Sequence, residues 1–194
     1  MNRYSRIVGF LTVLVMLAGL VSAQASTLDQ NNPPNNVGLN DSLEWQQQVT
    51  AGIGGQLAGI TLYTNAGPDT DLVQIAIGSG FYSGPYTFSQ TVTINGATFI
   101  DTSSAGILLT PGETFVIDVS EGPGCCNLSG SDIPYGGGDL YLNFGNGDVE
   151  DYTQLFGYSM AFQTYMNPSV PTPEPCSMLL LGAGLGLVGV WRRK

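Results

Sequence analysis

Between residues 26 and 166, apolar side chains recur at every second position. In "TFVIDV" (114–119), Phe115, Ile117 and Val119 fall on one face, and Thr114, Val116 and Asp118 on the other. "YTFSQTVTI" sets Tyr86, Phe88, Val92 and Ile94 against Thr87, Ser89, Thr91 and Thr93. "DLVQIAIG" (71–78), "DLYLNF" (139–144) and "SMAFQTY" (159–165) alternate in the same way. Period two is the signature of a half-buried β-strand. "NAGPDT", "GSG", "NGA", "TPGE", "EGPG" and "YGGGD" punctuate these runs with turn residues. No 3.6-residue period of helical length appears between the two ends of the chain.

Many short strands divided by Gly, Pro and Asn turns predict an all-β domain, an antiparallel β-sandwich or jelly roll, over 26–166. No solenoid-length repeat is visible, which argues against a β-helix. From 167 to 175, "NPSVPTPEP" carries four prolines and reads as an extended linker.

The two ends depart from this pattern. Arg3 and Arg6 precede the apolar run "IVGFLTVLVMLAGLV", and "AQA" places small residues at Ala23 and Ala25. This is the layout of a secretory signal peptide over 1–25, with cleavage before Ser26; the A-x-A pattern favours cleavage over a retained N-terminal anchor. At the other end, residues 176–191 are uncharged and precede Arg192, Arg193 and Lys194. That span is just short of the roughly 17–25 residues of an ordinary transmembrane helix. Four glycines weaken it further as a permanent anchor. The terminal cations would hold its end on the cytoplasmic side, leaving the domain on the far side, in agreement with the signal peptide.

Charge sharpens the division. The chain has five Lys and Arg, fifteen Asp and Glu and no His. All five cations lie in the two terminal segments, so the stretch between them contains no cation. A domain without cations has no electrostatic footprint for nucleic acid and no phosphate clamp. Without His or Lys it has no imidazole base and no Schiff-base amine, and it cannot form internal salt bridges. It should attract cations.

Pro173-Glu174-Pro175, then the short Leu/Gly helix of 176–191, then Arg192, Arg193 and Lys194, resembles the PEP-CTERM sorting signal, here covering 173–194. The resemblance implies an exported protein of an exopolysaccharide-producing Gram-negative bacterium. It implies transient anchoring in the inner membrane and processing at Pro173–Pro175 by a membrane transpeptidase, exosortase. The same tail also occurs on some ice-binding proteins. In the interior, "EWQQQVTAG", "GQLAGITLYT", "LTPGETFVIDVS", "YGGGDLYLN" and "MAFQTYM" follow one another as in a β-sandwich domain of bacterial surface proteins. That similarity supports the fold and names no activity.

Candidate chemistry is sparse. Asp69 and Asp71 follow a Gly-Pro turn, and "GNGDVEDY" gathers Asp148, Glu150 and Asp151. Carboxylates beside flexible carbonyls suit calcium, although neither run matches an EF-hand loop; solvated loop acids are the competing reading. Cys125 and Cys126 are adjacent in a loop-like run. After export they face an oxidising compartment, and two readings stand: a vicinal disulfide, strained because adjacent Cα atoms are only about 3.8 Å apart, or bonds to other chains. Tyr82, Tyr86 and Tyr135, near Gly/Pro turns, are candidates to contact a sugar ring; core packing is the alternative. A glycosidase needs only two suitably spaced carboxylates, and fifteen acids offer many pairs, so that signal is nearly uninformative. The sequence therefore predicts an exported, non-enzymatic protein of the cell surface or extracellular matrix, with exopolysaccharide as a candidate partner. A carboxylate-based glycan hydrolase and an ice-binding protein are the alternatives.

Overall fold

The computed structural model describes residues 25–39, 44–120 and 127–169. Cys125, Cys126, Ala23 and the whole sorting signal, Pro173 to Lys194, lie outside these residues, while Ala25 is exposed just ahead of the first strand. The described chain is all-β apart from one 3-10 turn and one helical turn, and its strand ladders are antiparallel. The strands are β1 (Thr27–Asn32), β2 (Asn36–Leu39), β3 (Glu44–Thr50), β4 (Gly55–Tyr63), β5 (Asp69–Ile77), β6 (Phe88–Ile94) and β7 (Ala97–Asp101). They continue with β8 (Leu108–Leu109), β9 (Thr114–Ser120), β10 (Leu128–Ser131), β11 (Leu140–Asn143), β12 (Val149–Asp151), β13 (Ser159–Met160) and β14 (Phe162–Pro168). A short helix α1 (Tyr152–Phe156) follows β12, capped by the Asp151 carboxylate on the Gln154 N–H and closed by Gly157 in the left-handed region.

Three sheets result. A six-stranded sheet runs β12-β11-β3-β9-β5-β6; a five-stranded one runs β1-β14-β4-β7 with β8 added beside β4; a small one runs β13-β10-β2. One connected core draws on all three. It includes Trp45, Ile75, Phe115 and Ile117 from the first, Ile60, Leu62 and Phe162 from the second, and Leu39, Leu128 and Met160 from the third. Gln47 ties the small sheet to the large one: its Oε1 accepts the Met160 N–H at 2.8 Å, and its amide donates to the Gly138 carbonyl at 3.1 Å. A buried amide with both ends bonded is tolerated in a core.

The alternating runs all lie in strands, with differences that have physical causes; "SMAFQTY" is divided between β13 of the small sheet and β14 of the five-stranded one. Val116 and Asp118, on the polar side of "TFVIDV", are buried like their core-facing neighbours, because the β5–β6 loop folds back across that face. Tyr86 is not on the core side of β6; it precedes the strand, and its hydroxyl meets Asp118. The linker expected from residue 167 begins later, since Asn167 and Pro168 still pair with Gln56 and Gly55 of β4. Among the described residues no helix is long and apolar enough to cross a membrane.

Candidate functional site

The outer faces of the two large sheets hold most of the polar and aromatic chemistry. On the six-stranded sheet, Gln46 of β3 stands opposite Asp118 of β9. Gln46 Nε2 lies 2.8 Å from Asp118 Oδ2, 2.6 Å from Glu44 Oε1, 2.8 Å from the Tyr82 carbonyl and 3.1 Å from the Tyr86 hydroxyl. Its Oε1 accepts the Tyr82 N–H at 2.7 Å, and Gln48 Oε1 accepts the Gly80 N–H at 2.7 Å. The loop between β5 and β6 is thus held onto the sheet by two glutamines that repeat at strand period. Tyr86 donates its hydroxyl proton to Asp118 Oδ2. Tyr82 packs edge-on against Tyr86 at 5.5 Å and donates its own hydroxyl to the Pro85 carbonyl at 3.0 Å.

Asp118 is 1% exposed, and its Oδ1 has no donor among the described residues. Burial raises its carboxyl to about 8; hydrogen-bond contact with Glu44 adds to the rise, while the bonds from Tyr86 and Gln46 oppose it. Gln46 Nε2 reaches both Asp118 and Glu44, and the second Glu44 oxygen accepts from Asn143 Nδ2 at 2.7 Å. The Tyr86 phenol is pushed up by burial and by the same carboxylates, so it remains a donor.

The outer face of the five-stranded sheet is uncovered at its margins among the described residues, while Gly59 and Thr61 at its centre are buried. Two rows of facing residues cross it. One is Leu28–Tyr165–Gly59–Asp101, on β1, β14, β4 and β7; the other is Asn31–Gln163–Thr61–Phe99. Gly59 decides the surface. A Cβ there would stand 2.3 Å from Phe99 Cζ and 2.7 Å from the Ile100 carbonyl oxygen, so the bare backbone is the bed on which the Phe99 ring lies. The ring meets Tyr165 edge-on at 5.5 Å. Phe99 is 54% exposed and Leu28 45%. Tyr165 donates its hydroxyl to Gln163 Oε1 at 2.7 Å, and Gln163 Nε2 donates to Asn31 Oδ1 at 3.0 Å, giving the rings an amide border. Asp101 bounds the platform on the β7 side. Hydrogen bonds from Ser103 hold its exposed carboxyl below the usual range, so it is ionised at neutral pH.

The sequence-derived candidates divide accordingly. Tyr82 and Tyr86 come together, with both hydroxyls engaged. Tyr135 is elsewhere: its ring packs edge-on against Phe162 at 5.0 Å, its hydroxyl donates to Gln30 Oε1 at 2.9 Å, and burial pushes it up to about 12. Asp69 and Asp71 are not loop acids. Both are buried in β5, on the strand face shared with Val73 and Ile75, and Asp69 accepts the Thr70 and Asn127 N–H groups. Asp148, Glu150 and Asp151 lie at or beside β12, four strand positions from β5 across the sheet, or about 19 Å. Asp148 accepts from Asn146, and Asp151 is occupied as the cap of α1. Among the described residues, no group of three or more His, Cys, Asp or Glu side chains is placed to hold a metal ion.

Phe99, Tyr165 and Gly59 were not singled out by sequence reasoning. The available signal was Gly59 inside an otherwise apolar strand run, which marks close approach of another group. The chain matches no protein-family model, no curated protein and no solved structure.

Proposed function

We propose that this is an exported, non-enzymatic protein of the cell surface or extracellular matrix, delivered by its PEP-CTERM tail and adhering to glycan through its β domain. In this reading the domain is a β-sandwich of jelly-roll type, with the five- and six-stranded sheets as its leaves; a shared core fed by both sheets supports it. The observation that carries the adhesive role is the exposed Phe99–Tyr165 pair on an open, amide-bordered sheet face. Aromatic rings with polar neighbours are suited to the apolar face of a sugar ring.

The hydrolase alternative draws on Glu44 and Asp118. Gln46 Nε2 bonds both carboxylates, and Asp118 is buried beneath the β5–β6 loop, away from any substrate. Its raised carboxyl is therefore read as a consequence of burial. Ice binding draws on Thr91 and Thr93, exposed on β6, with Thr93 bonded to Thr70 at 2.9 Å; they form a short cluster, not a repeated array.

The test compares the wild-type chain with a Pro173→Ala/Glu174→Ala variant in the producing cells. The proposal expects wild-type protein in the matrix fraction with a mass lacking the tail, and the variant in membranes with the tail intact. It also expects retardation of the secreted wild-type protein in gels containing the host exopolysaccharide. Equal masses and locations for the two chains would overturn the sorting role; unretarded migration would overturn adhesion.

A further inference from the structure

Resting on the adhesive reading, we propose that the outer face of the five-stranded sheet is an amino-sugar site, with Phe99 stacking the sugar ring, Tyr165 flanking it and Asp101 pairing with its protonated amine. The juxtaposition follows from register. Tyr165, Gly59 and Asp101 face one another across three adjacent strands, and Phe99 is two residues before Asp101 on the same face of β7. Gly59 lets the Phe99 ring lie back toward Tyr165, so the two rings meet over the middle strand with the carboxylate beside them. Strands are about 4.8 Å apart, so Tyr165 and Asp101 are separated by about 10 Å, the scale of one or two sugar residues.

Charge selects among glycans. The described domain contains no Lys, Arg or His to pair with uronate, sulfate or phosphate groups, so nothing on this face complements an acidic polymer. An ammonium group finds an ionised carboxylate beside an exposed aromatic ring, Phe99. The amides of Gln163 and Asn31 add donors and acceptors for neutral hydroxyls at the other border. The occupant with all three features is a polysaccharide bearing free amino groups, such as a glucosamine polymer.

The test measures binding of the secreted protein, by titration calorimetry at a mildly acidic pH, to a glucosamine oligomer, to its fully N-acetylated counterpart and to a neutral glucan oligomer. The glucosamine oligomer should bind at least tenfold more tightly than the other two. Phe99→Ala and Asp101→Asn should each weaken that binding about tenfold or more while leaving the melting temperature within a few degrees. Asn removes the charge while keeping an oxygen for the Ser103 N–H. Equal affinity for the three oligomers, or glucosamine binding indifferent to Phe99→Ala, would overturn the site. A self-association of the free protein abolished by Phe99→Ala would also overturn it, assigning the face to a second copy. If the oligomers fail to bind while the protein is still retarded by host exopolysaccharide, this site is wrong and the adhesive reading stands.

Discussion

The outer faces of the two large sheets begin from the same strand alternation and end as opposites. On the six-stranded sheet, the β5–β6 loop turns back over β3 and β9, and residues in polar positions become interior. Gln46 is fully buried there and Asp118 nearly so. On the five-stranded sheet nothing among the described residues covers β7, and Phe99, in an apolar position, stands 54% exposed. An alternating strand has no fixed inside. Burial is decided by what else the chain lays on each face. The covered face converts polarity into fixed geometry, and the open face leaves apolar area free to bind.

The contrast is broken most severely by Gln46→Ala. It removes the amide that serves the Tyr82 N–H and the Asp118 carboxyl at once, leaving buried groups unpaired. Stability should fall by about 2–4 kcal/mol in urea unfolding, and residues 78–87 should become sensitive to limited proteolysis. On the open face, Gly59→Ala should cost about 1–3 kcal/mol by the same measurement, because its Cβ meets a backbone carbonyl as well as the Phe99 ring. It should also separate the two rings and weaken glycan binding.

A subtler test uses pH. The Asp118 carboxyl is raised in the folded state to about 8 and returns to its ordinary value near 3.8 on unfolding. Between these values the folded protein holds a proton that the unfolded chain has released, so stability declines as pH rises from about 4 to about 8 and then levels off. In Asp118→Asn this decline should be absent. An amide of the same shape carries no charge to bury, so the variant should equal or exceed the wild type at pH 8 in thermal melts. A decline of equal slope in both proteins would remove Asp118 as its source. The smallest effect on folding belongs to Phe99→Ala, within about 1 kcal/mol because the ring is already largely in water. A loss similar to that of Gln46→Ala would show the open face to be structural.

Much of the fold was legible in residue pattern. Phe115, Ile117, Val119, Phe88 and Ile94 point inward as their alternation requires. α1 escaped notice because five residues are too few to display a helical period. The short strands β2 and β10 gave no signal for the same reason, and they pair across a long stretch of sequence. The candidate sites were less legible. Tyr82 and Tyr86, close in sequence, also meet in the fold, whereas Tyr135 shares their turn chemistry and not their location. Phe99 and Tyr165 are 66 positions apart in the chain. Only the β14-β4-β7 register brings them together.

By itself the sequence determined the all-β class, the approximate strand positions, the cation-free interior charge and the signal-like ends. Each of these is local, set by the two-residue period of a strand, by turn-forming residues or by a simple inventory of charges. The tertiary structure alone decided which polar residues are interior, why the Asp118 carboxyl is raised, and that two distant aromatics share a platform over Gly59. Those properties depend on desolvation and on close approach between strands. Neither exists until the chain has folded and one segment lies against another.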